Sequence, residues 1–253
     1  MYRILESRTN ESRYLEINLG KKRKVPKDAS NFNEINEVEI SYSAVTDVSN
    51  LKSIKNLEKI TFWGCRFSKI PKGLTELTTL RSLVFFNCKN FKETDGIEHL
   101  INLEDIAFTG NPKLVTINGL SGLSKLKDLI IYDCYGLKEV HDLDRLTNLK
   151  SFTIGLCHHI DLSKMGNLAN IEYFNFWGYS HLNLNTLSSL VLHGTHFYAE
   201  LFDWSHVIPA LDLSPALKSD FVDNDKQFMD VINSKKATEI YYNYFTNKKN
   251  SSI

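Results

Sequence analysis

Four cysteines, at positions 65, 88, 134 and 157, are the side chains of this sequence best suited to covalent or metal chemistry, and they stand 23, 46 and 23 residues apart. A thiolate can attack as a nucleophile, ligate zinc or enter a disulfide. Zinc would require four converging ligands, whereas this spacing spreads the cysteines evenly along the chain, and the rung midway between Cys88 and Cys134 is Asn111. Cys134 follows an apolar run in "LIIYDCYGL", 129–137. A thiol in such surroundings keeps its proton and is inert. The arithmetic is that of a repeat, with Cys134 a structural rung.

The second set is histidine: His158, His159, His181, His193, His196 and His206 crowd into one stretch. No carboxylate or cysteine is clearly recruited beside them, so the reading is a partner contact, with no metal ligand assigned. No nucleophile elbow, phosphate loop or H-E-x-x-H is found, and Gly119 and Gly122 in "GLSGLSK" fit a turn. Catalytic residues are therefore expected to be none, and cofactors none.

The elements that carry the cysteines are units of 23 residues: "LEKITFWGCRFSKIPKGLTELTT" from Leu57, "LRSLVFFNCKNFKETDGIEHLIN" from Leu80, "LEDIAFTGNPKLVTINGLSGLSK" from Leu103 and "LKDLIIYDCYGLKEVHDLDRLTN" from Leu126. Units from Ile35 and Leu149 are one residue shorter, "IEYFNFWGYSHLNLNT" from Ile171 breaks off early, and "LSSLVLHGT" from Leu187 reads as one last strand. Apolar residues at positions 1, 4 and 6 alternate as in a strand, and those near 12, 15, 18 and 21 step by three as in a 3-10 return.

The pattern L-x-x-L-x-L-x-x-N/C, met in about eight units over 35–195, resembles the leucine-rich repeat family. The resemblance implies an α/β leucine-rich repeat solenoid with a concave parallel β-sheet, short helical or 3-10 convex returns and a cap at each end. Neighbouring strands lie about 4.8 Å apart, within disulfide reach. Parallel side chains and a reducing compartment oppose a Cys65–Cys88 or Cys134–Cys157 bond.

The expected organisation is an N-terminal cap at 1–34, repeats at 35–195, a C-terminal cap at 196–245 and a disordered tail at 246–253. "YLEINLG" is expected to be a strand, followed by an exposed basic turn at Lys21, Lys22, Arg23 and Lys24. "DNDKQFMDVINSKK" has helical spacing. The N-terminus has no apolar stretch of a secretory signal, so a cytoplasmic location is expected. Thirty basic residues balance thirty acidic ones, a composition that favours neither nucleic acid nor an anionic membrane as partner.

Positions 3, 5, 7 and 8 should point onto the concave face. Position 7 reads Ser41, Trp63, Phe86, Thr109, Tyr132, Gly155, Trp177 and His193. Tyr42 and Tyr173 flank it, and position 5 carries Val84, Ala107, Ile130 and Val191. Soluble proteins seldom leave such apolar surface open without a use. An acidic set, Glu37, Glu39, Asp105, Asp128 and Asp133, faces few cations, chiefly Lys59, with Arg66 and Lys89 near the strand ends. The expected partner-binding residues are Tyr42, Trp63, Phe86, Asp105, Asp128, Ile130, Tyr132, Asp133, Tyr173, Trp177 and His193. The expected partner is another protein with basic surface around an apolar anchor.

The reading is thus a non-enzymatic protein-binding module, with an inhibitor or toxin-neutralising immunity protein as its specific form by analogy with the fold. The alternatives are the recognition part of an effector or ubiquitin-ligase-type enzyme, or a structural adaptor.

Overall fold

A computed structural model describes residues 4–8, 13–27, 34–160, 171–179 and 196–201. The strands are β1 (Ile4–Arg8), β2 (Arg13–Ile17), β3 (Glu37–Ser41), β4 (Lys59–Trp63), β5 (Ser82–Phe86), β6 (Asp105–Thr109), β7 (Thr116–Ile117), β8 (Asp128–Tyr132), β9 (Glu139–Val140), β10 (Ser151–Gly155), β11 (Tyr173–Tyr179) and β12 (His196–Leu201). Ten of them form one sheet in the order β1-β2-β3-β4-β5-β6-β8-β10-β11-β12, and β7 pairs with β9 on the return side. The β1–β2 hairpin is antiparallel, and every other neighbouring pair is parallel.

Alternation decides which face of each strand is buried. Positions 4 and 6 supply Ile60 and Phe62, Leu83 and Phe85, Ile106 and Phe108, and Leu129 and Ile131, all buried. The intervening residues face the concave side. The rings stack from unit to unit, with Phe62–Phe85 centroids 5.4 Å apart and Phe85–Phe108 5.5 Å apart, while Phe91 lies 4.5 Å from Phe85. Each unit buries its apolar face against its neighbours, so the core is a continuous column.

The returns are 3-10 turns at Ser49–Ser53, Leu74–Glu76, Ile97–His99, Leu120–Gly122 and Leu143–Arg145. Four of them start after a left-handed residue, Gly73, Gly96, Gly119 or Asp142. At Gly73 (φ 84°) an added Cβ would stand 2.4 Å from the Ser49 Cα, so both conformation and space require glycine.

The four cysteines are free thiols and buried. Each donates to backbone carbonyls: Cys65 to Ile40 at 3.1 Å, Cys88 to Phe62 and Phe86 at 3.6 and 3.7 Å, Cys134 to Phe108 and Tyr132 at 3.5 Å, and Cys157 to Gly155 at 3.2 Å. Asn111 fills the same place with three bonds, accepting from Cys88 N at 3.1 Å and donating to the carbonyls of Phe85 and Thr109 at 2.9 and 3.2 Å. The ladder also includes Ser43, whose hydroxyl donates to Ser41 O at 2.7 Å and accepts from Leu19 N at 2.8 Å. A cysteine-and-asparagine pattern in the sequence had passed over that rung. Burial pushes the Cys88 and Cys134 thiols well above the ordinary range, which keeps them protonated.

The strand expected in "YLEINLG" is β2, and the basic run Lys21–Lys24 lies on an exposed turn, with Lys24 paired to Asp47 at 3.1 Å. The Leu187–Thr195 strand, the 223–236 helix, Val191 and His193 lie outside the described residues, as do all of 202–253.

Candidate functional site

The strand register sets the concave face out in rows. Position 7 runs Ser41, Trp63, Phe86, Thr109, Tyr132, Gly155, Trp177 and Glu200, each opposite the next. Among the described residues the row ends at Glu200 of β12, which takes the place opposite Trp177 expected of His193. Trp177 stands on the row by its backbone; its side chain is outside what the structure describes.

Position 8 behaves differently from the expectation that it belongs to the strand. Tyr42, Asn87, Asp133 and Leu156 have φ between 47° and 57°, and Gly64 and Gly110 take the same left-handed turn. The chain must leave the sheet there and drop inward to the buried rung at position 9. The amides of these residues still reach the next strand, as Tyr42 N donates to Trp63 O at 2.7 Å and Asp133 N to Gly155 O at 3.0 Å. Tyr42 and Asp133 thus edge the face from a turn.

At that edge the aromatics form a connected run. The Trp63 Nε1 donates to the Tyr42 Oη at 3.0 Å, and the Trp63 and Phe86 rings lie 4.4 Å apart at 37°. Tyr42 is 59% exposed, while Trp63, Phe86 and Tyr132 are half-buried. Thr109 interrupts the run between Phe86 and Tyr132 and is itself buried. Its hydroxyl and the Oδ1 of Asp133 are buried with no hydrogen bond among the described residues. Such atoms cost stability in a fold that otherwise pairs its polar groups.

The middle row, position 5, is closed rather than open. Glu39, Thr61, Val84 and Ala107 are buried, and only Ile130 and Thr153 are half-buried. Glu39 bonds to the Tyr14 hydroxyl; burial first, then the charge of Glu39, pushes that phenol far up. The acidic set is thereby divided, with Glu39 committed inside the sheet.

Position 3 carries the accessible acids. Glu37 pairs with Lys59 at 3.6 Å. Asp105 and Asp128 stand opposite each other on β6 and β8 and make no ion pair among the described residues. Serine hydroxyls support them, Ser82 at Asp105 and Ser151 at Asp128, with Lys59 and Lys127 acting from farther off. Burial pushes both carboxyls above the ordinary range, and the Asp128 charge adds to the effect at Asp105. Tyr173 continues the row on β11 and is 50% exposed.

Sequence reasoning missed the rim at position 10. Tyr135 is exposed and stacks on His158, with centroids 5.9 Å apart and 6° between the rings. Its hydroxyl bonds to Asp133, which raises the Tyr135 pKa. Arg66 and Lys89 hold the same position, exposed and without an ion pair among the described residues. A 23-residue alignment of position 10 would have shown this column. Among the described residues, no group of histidine, cysteine and acidic side chains is placed to hold a metal ion. No helix there is long and apolar enough to cross a membrane.

The sequence pattern of the BspA type leucine-rich repeat region matches residues 29–138 in six copies. No curated protein is similar to the chain in sequence. Among solved structures, an internalin (inlF) from Listeria monocytogenes is similar with a TM-score of 0.51 at 16% identity, over 75% of this chain and 62% of the internalin. The functional domain of InlJ from Listeria monocytogenes, which includes a cysteine ladder, has a TM-score of 0.46 at 18% identity, over 79% of this chain and 47% of that one. The leucine-rich repeat domain of the type III effector XopL has a TM-score of 0.41 at 16% identity, over 78% of this chain and 73% of that one. At such identities the likeness is one of fold.

Proposed function

We propose that this chain, whose residues 29–138 match the leucine-rich repeat pattern and whose fold is that of such a solenoid, is a non-enzymatic binding solenoid that holds another protein on its concave face, with Trp63, Phe86 and Tyr132 as the anchor. The observation that carries this is the connected run Tyr42–Trp63–Phe86. The fold needs apolar residues at positions 4 and 6, and Ser41, Thr109 and Gly155 show that small residues satisfy position 7. Large rings placed there answer to something outside the chain. A protein that only binds acts by occlusion or masking, and an inhibitor or toxin-neutralising immunity protein is the specific form proposed.

The test is affinity capture from host lysate with the wild-type chain and a Trp63→Ala/Phe86→Ala variant, followed by amide exchange of the captured complex. A stoichiometric partner lost by the variant, with protection at 59–63 and 82–86, is the expected result. The same partner held equally by a folded variant overturns the proposal. All four cysteines of this sequence are buried rungs, so none of them offers the reactive thiol of a thioester-forming ubiquitin ligase.

A further inference from the structure

Two features of the concave face lie a fixed distance apart, and together they describe a partner. The apolar anchor is at position 7, and Asp105 and Asp128, which make no ion pair among the described residues, are at position 3. Phe86 is on β5, and Asp105 is on the adjacent β6, four residues back along the strand direction. Four residues of strand span about 13 Å, and one strand spacing adds about 4.8 Å sideways. Between the rows lie the short side chains of Val84 and Ala107, both buried.

Resting on the concave-face reading above, we propose that the partner presents an extended segment lying along the strands, with an aromatic or aliphatic side chain on Trp63 and Phe86 and a lysine or arginine four residues away at the Asp105–Asp128 pair. Charge complementarity selects the cation. Elsewhere on this face acids are answered from within the chain, Glu37 by Lys59 and Glu39 by the Tyr14 hydroxyl. Asp105 and Asp128 stand side by side with only serine hydroxyls bonded to them and the Lys59 and Lys127 charges farther off, so two neighbouring carboxylates at an accessible row present negative charge to a partner. The four-residue interval matches an extended chain, in which residues i and i+4 point to the same side about 13 Å apart.

The test uses the full-length chain as bait for a phage-displayed library of random linear peptides. Wild type should enrich peptides with lysine or arginine four residues from an aromatic or aliphatic residue. With a synthetic peptide of the enriched sequence, Asp105→Asn/Asp128→Asn should weaken binding about tenfold, as should alanine at the peptide's basic residue, and the two changes together should cost little more than either. Trp63→Ala should abolish binding. Enriched peptides that are apolar without a basic preference, and are lost with Trp63→Ala, overturn this inference and leave the concave anchor standing. Peptides indifferent to both sets of substitutions, or no enrichment at all, overturn it too, and peptides retained by Trp63→Ala also count against the anchor. Each aspartate is also replaced singly, and melting curves confirm that the variants are folded.

Discussion

The rung at position 9 and the row at position 7 lie two residues apart in every unit, yet they follow opposite rules. The rung holds Ser43, Cys65, Cys88, Asn111, Cys134 and Cys157, all buried and all small enough to bond the carbonyls of the turn. The row holds serine, tryptophan, phenylalanine, threonine, tyrosine and glycine in succession. A repeat stacks only if each unit offers its neighbour the same inner surface, so what lies inside must recur. The stacking does not require one residue type in the outward row, and that row departs from the period.

That contrast can be broken from the inside first. Phe85→Ala removes the ring stacked on Phe62, Phe91 and Phe108. It should cost about 3–5 kcal/mol in denaturant unfolding. Asn111→Ala leaves the Cys88 amide without its partner and removes the side-chain bonds to the carbonyls of Phe85 and Thr109, the latter still held by the Asn87 amide. A loss of about 2–4 kcal/mol is expected. Asn111→Cys, which copies the other rungs, should recover part of it, and failure to recover any would show that the rungs are not interchangeable.

The outward row should respond in the other sense. Trp63→Ala gives up a half-buried ring contact and one exposed hydrogen bond. About 1 kcal/mol of stability is expected to go with it, while partner binding disappears. A Trp63→Ala variant as destabilised as Phe85→Ala would erase the distinction between row and rung.

The smallest effect concerns Asp105. Its carboxyl is raised by burial, so the folded state disfavours the ionised form. The penalty is absent below the unfolded carboxyl value near 3.9 and grows as pH rises through the raised value. Asp105→Asn should therefore melt about 1–2 °C higher than wild type at pH 7, a difference that vanishes toward pH 3. Glu104, held low by Lys127 and Arg81, has the opposite sign. Its stabilisation is present above the unfolded value near 4.3 and fades as pH falls through the lowered one.

Much of the fold was legible because its period was. Cys65, Cys88, Asn111, Cys134 and Cys157 were readable as one structural position from spacing alone, and the alternation at positions 4 and 6 marked the buried face. The candidate site was legible only as columns of letters. Tyr42 and Asp133 read as strand residues because side-chain type does not announce a left-handed φ, and Glu39 read as part of an exposed acidic set although it is buried against Tyr14. Position 10 went unread because Arg66, Lys89, Tyr135 and His158 differ in type and become a rim only when the units stack.

By itself the sequence determined the repeat, its length and the identity of every buried rung but Ser43, since periodic burial follows from residue order alone. The tertiary structure decided which acids remain unpaired, which aromatics touch and where each strand ends. Those outcomes depend on lateral neighbours some 23 residues away, whose side chains meet only once the units are stacked in register.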